Sequence, residues 1–210
     1  MADGPTSGTA RTEADLLTNF FQDGQANNSI TAQDMRDLVA SRFGKLEYPT
    51  AAAQLQSFVN QTASGVNDMN IVDLNTQHYI ANITHSTTVD PSEITVVEDG
   101  VYDIVVSAMF WKTGGGTAIT TMALQESLAS GGGWVTTSAA VRRDVSGNGV
   151  AGFAALGHVD RHVVGDKYRV VWWTDEITAS LQWFEGGVTS PTNHADVPSV
   201  DFRIKKIGLL

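Results

Sequence analysis

From Gln77 onward, apolar residues recur at every second position in short runs, most of them closed by Gly, Asn or Asp. Side chains of a strand alternate between two faces, whereas a helix repeats every 3.6 residues, so this period commits the segment to β-sheet. The runs are 78–84, 93–98, 101–112, 117–128, 134–143, 150–156, 167–174, 178–184 and 200–207. Turn signals fall between most of them: Asp99-Gly100, Gly114 to Gly116, Gly131 to Gly133, Gly147-Asn148-Gly149, Gly165-Asp166 and Gly186-Gly187. In the last run Val200, Phe202 and Ile204 are expected inward, with Asp201, Arg203 and Lys205 outward. In the third, Tyr102, Ile104, Val106, Ala108 and Phe110 face the core, and the opposite face (Val101, Val105, Met109, Trp111) is also largely apolar. A strand apolar on both faces is covered either within the fold or between subunits. About nine strands at this spacing predict an antiparallel two-sheet sandwich of jelly-roll type.

The segment before it reads differently. Residues 1–11 carry Gly, Pro, Ser and Thr without an apolar pattern and are expected to order only against a partner. Two short helices follow. Thr12 caps the first, which presents Leu16, Leu17, Phe20 and Phe21; Thr31 caps the second, which presents Met35, Leu38 and Val39 before Gly44. Helices this short must dock on something larger, in this chain or another. The expected organisation is therefore an N-terminal arm and helical anchor over 1–47, a connector over 48–76 and a β-sandwich over 77–210. Within the connector, Thr50 to Val59 reads as a third short helix or as plain linker.

Composition excludes several functions. The net charge is −10 and the densest basic groups are only pairs, Arg142-Arg143 and Lys205-Lys206, which argues against nucleic acid as a partner. Without cysteine there is no disulfide, thiolate metal site or Cys nucleophile. No apolar run is long enough for a membrane helix, and residues 1–12 lack a signal-peptide core, so synthesis in the cytosol without secretory export is expected.

Three local groupings invite a functional reading. Asp23 to Asp34 resembles an EF-hand loop, with Asp23, Asn27 and Asp34 as candidate calcium ligands. Asn28 stands where that loop needs Gly and Asp34 where it needs a bidentate Glu, so a simple capped helix pair is preferred. His158, Asp160 and His162 alternate, so on a strand all three face one way; a trimer axis could gather copies onto a metal, although a solvated polar stripe is the commoner outcome. Asp175, Glu176 and Glu185 lie beside Trp172, Trp173, Trp183 and Phe184, a composition found in sugar clefts. Adjacent acids on a turn do not supply two carboxylates across a cleft, and no nucleophile elbow, H-E-x-x-H or phosphate-cradling loop is present. The chain is accordingly expected to be no enzyme and to need no cofactor. Trp173 and Trp183 are retained as possible glycan contacts.

Three stretches resemble a known family. Gly100-Val101-Tyr102-Asp103-Ile104 is similar to the strand opening of the complement-type and tumour-necrosis-factor-like jelly rolls. Gly165-Asp166-Lys167-Tyr168-Arg169-Val170 is similar to their turn into a late strand, and 202–210 (FRIKKIGLL) to their closing strand. The resemblance implies a compact homotrimer, for which Val101, Val105, Met109 and Trp111 are the expected interface. Independently, residues 13–20 and 30–39 resemble a short N-terminal module of tailed-phage fibre and decoration proteins. Together these imply a structural protein at the virion surface, made in the host cytoplasm: a trimeric capsid decoration or short head-spike held by its N-terminal segment to capsid or tail proteins. The alternative is a tail-fibre tip that recognises host-surface glycan.

Overall fold

The computed structural model describes residues 51–185, 188–189, 192–193 and 196–209. The chain divides between Pro49 and Thr50, and the described residues all belong to the second unit. The strands are β1 (Ala52–Ser57), β2 (Gln61–Thr62), β3 (Asn70–Ile71), β4 (Thr76–Ala81) and β5 (Ile83–His85). They continue with β6 (Ile94–Val96), β7 (Gly100–Lys112), β8 (Thr117–Ser127), β9 (Val135–Ser146) and β10 (Val150–His162). The last are β11 (Lys167–Thr174), β12 (Ala179–Leu181), β13 (Val188–Thr189), β14 (Thr192–Asn193) and β15 (Val200–Gly208). Every pairing is antiparallel, and the described residues form no helix.

Two sheets carry the fold. Sheet A runs β4-β1-β15-β7-β10, with β12 continuing beyond β15 along the same edge of β7 and β2 pairing β12. Sheet B runs β5-β6-β11-β8-β9, with β3 beside β6 on β11. The eight principal strands are β1, β6, β7, β8, β9, β10, β11 and β15; numbered one to eight in chain order, they fall as 1-8-3-6 in sheet A and 2-7-4-5 in sheet B. Neighbours in a sheet are thus often far apart in sequence, and the first and last of the eight lie side by side.

The alternation read from the sequence holds along β7 and β15. Tyr102, Ile104, Val106, Ala108 and Phe110 are buried from one side, and Val200, Phe202 and Ile204 from the adjacent strand. Sheet B answers with Met122, Leu124, Tyr168, Val170 and Trp172, and the Trp172 ring packs against Phe110 at 6.0 Å. The β9–β10 turn uses Gly147 and Gly149 at φ +101° and +70°, where a side chain is strained. Between them Asn148 accepts the Gly114 amide at 2.8 Å, tying this turn to the β7–β8 turn. The buried Lys112 side chain caps that second turn, donating to the carbonyls of Thr113, Gly114 and Gly115.

Two expectations are corrected. The expected helix or linker over Thr50 to Val59 contains strand β1, which lies between β15 and β4 with Ala51, Ala53 and Leu55 in the core. Helix propensity is a weak prior, and pairing on both edges overrides it here. Residues 51–76, read as connector, therefore belong to the sandwich and supply β1, β2 and β3. The expected strand over 78–84 breaks into β4 and β5 at Asn82, whose φ of 48° carries the chain from sheet A to sheet B.

Candidate functional site

The outer face of sheet A is built from alternate residues of β7 and β10. Val101, Val105, Met109 and Trp111 all lie on it, opposite Arg161, Gly157, Phe153 and Ala151 respectively. Phe153 is 58% exposed, Val159 59% and Val105 43%, so an apolar column runs down the sheet with much of it uncovered by the described residues. Gly157 adds to that exposure, because it leaves no side chain beside Val105. Trp111 is partly covered by Phe184, whose ring meets it edge-on at 5.4 Å. Phe153 and Val159 were not singled out from sequence, although the alternation of Ala151, Phe153, Ala155 and Val159 carries their signal.

Beside the apolar column lies a polar network. Asp201 Oδ1 accepts the side-chain amides of Gln54 at 3.0 Å and Gln56 at 2.7 Å, and its Oδ2 accepts Arg203 Nε at 2.8 Å. Between column and network is a depression of about 250 Å³. Met109, Phe153, Val197 and Pro198 line it on the apolar side, Gln56 and Asp201 on the polar side. An apolar centre flanked by satisfied polar groups is the usual anatomy of a protein–protein contact.

A second cluster sits between the sheets at one end of the sandwich. β10 extends six residues past the run expected to end at Leu156, and it carries His158, Asp160 and His162 inward. Glu126 of β8 meets them from sheet B, and ligand-type atoms of the four side chains all lie within 4.8 Å of one another. The sequence brought three of these residues together; Glu126 is joined to them only by the fold. His162 Nδ1 lies 3.1 Å from Asp166 Oδ2, and both side chains are buried. The Val163 amide donates to Asp166 Oδ2 and the Ala129 amide to its Oδ1. Burial works to raise the Asp166 pKa, but these amides and His162 outweigh it and hold the carboxyl below its ordinary value. Since a carboxylate only accepts, His162 Nδ1 is the donor in this pair, which leaves Nε2 as the ring atom not engaged by Asp166.

The aromatic and acidic group resolves into separate places. Trp172 is a core residue, whereas Trp173 is on the outer side of sheet B and Trp183 follows β12 in sheet A. No ring contact joins Trp173 to Trp183 among the described residues. Asp175 accepts the Ile119 amide of β8 and Glu176 the Thr178 hydroxyl within its own turn, so both acids serve structure locally. The two predicted helices and the candidate calcium ligands Asp23, Asn27 and Asp34 lie outside the described residues. No protein-family model matches this chain, and no curated protein matches it.

Proposed function

We propose that this chain is a non-enzymatic structural subunit that forms a homotrimer through the outer face of sheet A. We place that trimer on a virus particle, as a capsid decoration or short head-spike. The observation that carries the assembly reading is the apolar column of exposed Val105, Phe153 and Val159 with half-buried Met109, beside an internally satisfied polar network. Burying such a column contributes about 25 cal/mol per Å² of apolar surface, and the one carboxylate on that face of β7, Asp103, already pairs with Lys205 Nζ at 3.4 Å.

The strand order supports the finer fold reading. Orders of 1-8-3-6 and 2-7-4-5 are what results when one long antiparallel hairpin is folded into two Greek keys, the jelly-roll arrangement. That arrangement agrees with the resemblance of residues 100–104, 165–170 and 202–210 to the complement-type and tumour-necrosis-factor-like jelly rolls, which are typically trimers. Attachment to a particle rests on the resemblance of residues 13–20 and 30–39 to the phage module.

Sedimentation equilibrium of residues 50–210 tests the assembly reading. Three subunits per particle is the expected result, and a stable soluble monomer would overturn it. Copy number per virion then separates decoration, at hundreds, from a tail tip, at a handful of trimers.

A further inference from the structure

Two imidazole nitrogens at the end of the sandwich have no hydrogen-bond partner. One is Nε2 of His162, whose side chain is 1% exposed; the other is Nε2 of His158, whose side chain is 11% exposed. A merely solvated polar stripe would keep such atoms in water. Here the strand turns them inward, towards the carboxylates of Glu126 and Asp160.

We propose that Glu126, His158, Asp160 and His162 form a site for one divalent transition metal, best suited to zinc, that clamps β10 of sheet A to β8 of sheet B. The donor set selects the metal: two imidazoles and two carboxylates suit zinc, whereas calcium and magnesium prefer oxygen alone. Two carboxylates and two neutral imidazoles also balance a double positive charge. The outer support is in place. Asp166 takes the Nδ1 proton of His162 and is itself fixed by two backbone amides, the carboxylate–histidine arrangement that orients a metal-binding ring.

The reach is short. Tetrahedral zinc with bonds of about 2.0–2.1 Å holds its ligand atoms roughly 3.4 Å apart. The donors here span at most 4.8 Å, and His158 Nε2 is 3.9 Å from Asp160 Oδ2, so each has little distance to close. His162 is packed edge-on against Tyr168, ring centroids 4.7 Å apart, and serves as the fixed point. Asp160, 54% exposed, accepts the Arg161 amide on Oδ1 and offers its other oxygen, Oδ2, to the site. The four ligands come from one chain, so the site is independent of trimer assembly.

The test uses the full chain stripped with a chelator and titrated with zinc sulfate. One zinc per chain is expected, and cobalt(II) in its place should give the strong visible absorption of tetrahedral coordination, lost on adding zinc. His158→Gln and Asp160→Asn each replace a donor with a more weakly ligating amide of similar size. Each should weaken zinc binding at least about tenfold while leaving the melting temperature of the metal-free chain unchanged. Absence of the cobalt band, or wild-type zinc affinity in both variants, would overturn the site. One zinc per three chains would overturn it too, since the metal would then lie on a shared axis.

Discussion

Asp201 Oδ1 receives the Gln56 side-chain amide at 2.7 Å from the neighbouring strand, so the outward face of β15 is tied to β1 by more than its backbone ladder. Substituting the two adjacent residues separates the faces of this strand. Phe202→Ala removes a fully buried ring and should cost about 3–5 kcal/mol. Asp201→Ala leaves the amides of Gln54 and Gln56 and the Arg203 guanidinium without their shared acceptor, and should cost about 1 kcal/mol. Denaturant melts at one fixed protein concentration give both values, and equal losses would show the register to be wrong.

Gly157 offers a cleaner probe of assembly than any apolar residue. A Cβ placed there meets nothing nearer than the Ile104 carbonyl at 3.9 Å, so a side chain fits the single subunit. It would project from the outer face beside Val105. Gly157→Glu should therefore keep the circular dichroism of the wild type while sedimenting as a monomer. A variant that still forms trimers would move the contact to another surface.

His85 should titrate below the ordinary histidine value of 6.5. Burial lowers its pKa most, partly opposed by its hydrogen bond to the Pro91 carbonyl. Gln77 Nε2 lies 3.0 Å from His85 Nδ1, and His85 Nε2 lies 3.0 Å from the Pro91 oxygen, a pattern that fits a neutral ring protonated on Nε2. A folded pKa below the unfolded one means this contribution to stability is complete above pH 6.5 and is lost as pH falls through the folded value. The His85 ring resonances followed by NMR should show a midpoint under 6.5; one above it would mean the ring is charged in the fold.

Lys112 caps a turn from within. Lys112→Met keeps most of the buried stem but takes the ammonium from the carbonyls of Thr113, Gly114 and Gly115. A loss of about 1.5–3 kcal/mol is expected, as for hydrogen bonds to a charged group. Protease cutting within 113–116 should rise with it, while the core ring contact of Phe110 and Trp172 stays intact in near-ultraviolet circular dichroism.

Local pattern reached the inner face of β15 because it alternates with Asp201, Arg203 and Lys205, and that of β7, whose outer face is also largely apolar, because Asp103 and Ser107 still mark the other side. It failed at β1, where Ala51, Ala52 and Ala53 offer no contrast between faces and the deciding information is the pairing with β15, about 150 residues away. The inter-sheet cluster was legible in part for the same reason. His158, Asp160 and His162 share a face by spacing alone, but Glu126 belongs to the other sheet, and no local rule connects it to them. Asp201 was correctly placed outward; that Gln54 and Gln56 satisfy it there depends again on where β1 lies.

β15 is the last described strand in the chain, yet it lies inside sheet A between β7 and β1. On a ribosome, neither neighbour can be closed until residues 200–208 emerge. At usual synthesis rates that leaves the edge of β7 waiting on the order of ten seconds after Lys112 is made. A bare edge on so apolar a strand invites pairing with other nascent chains, and many copies translated side by side would face the same interval. Cellular yield of this protein should therefore depend on chaperone supply more than its finished stability suggests. A message truncated shortly before codon 200 would release a chain with an open sheet and no strand left to fill it.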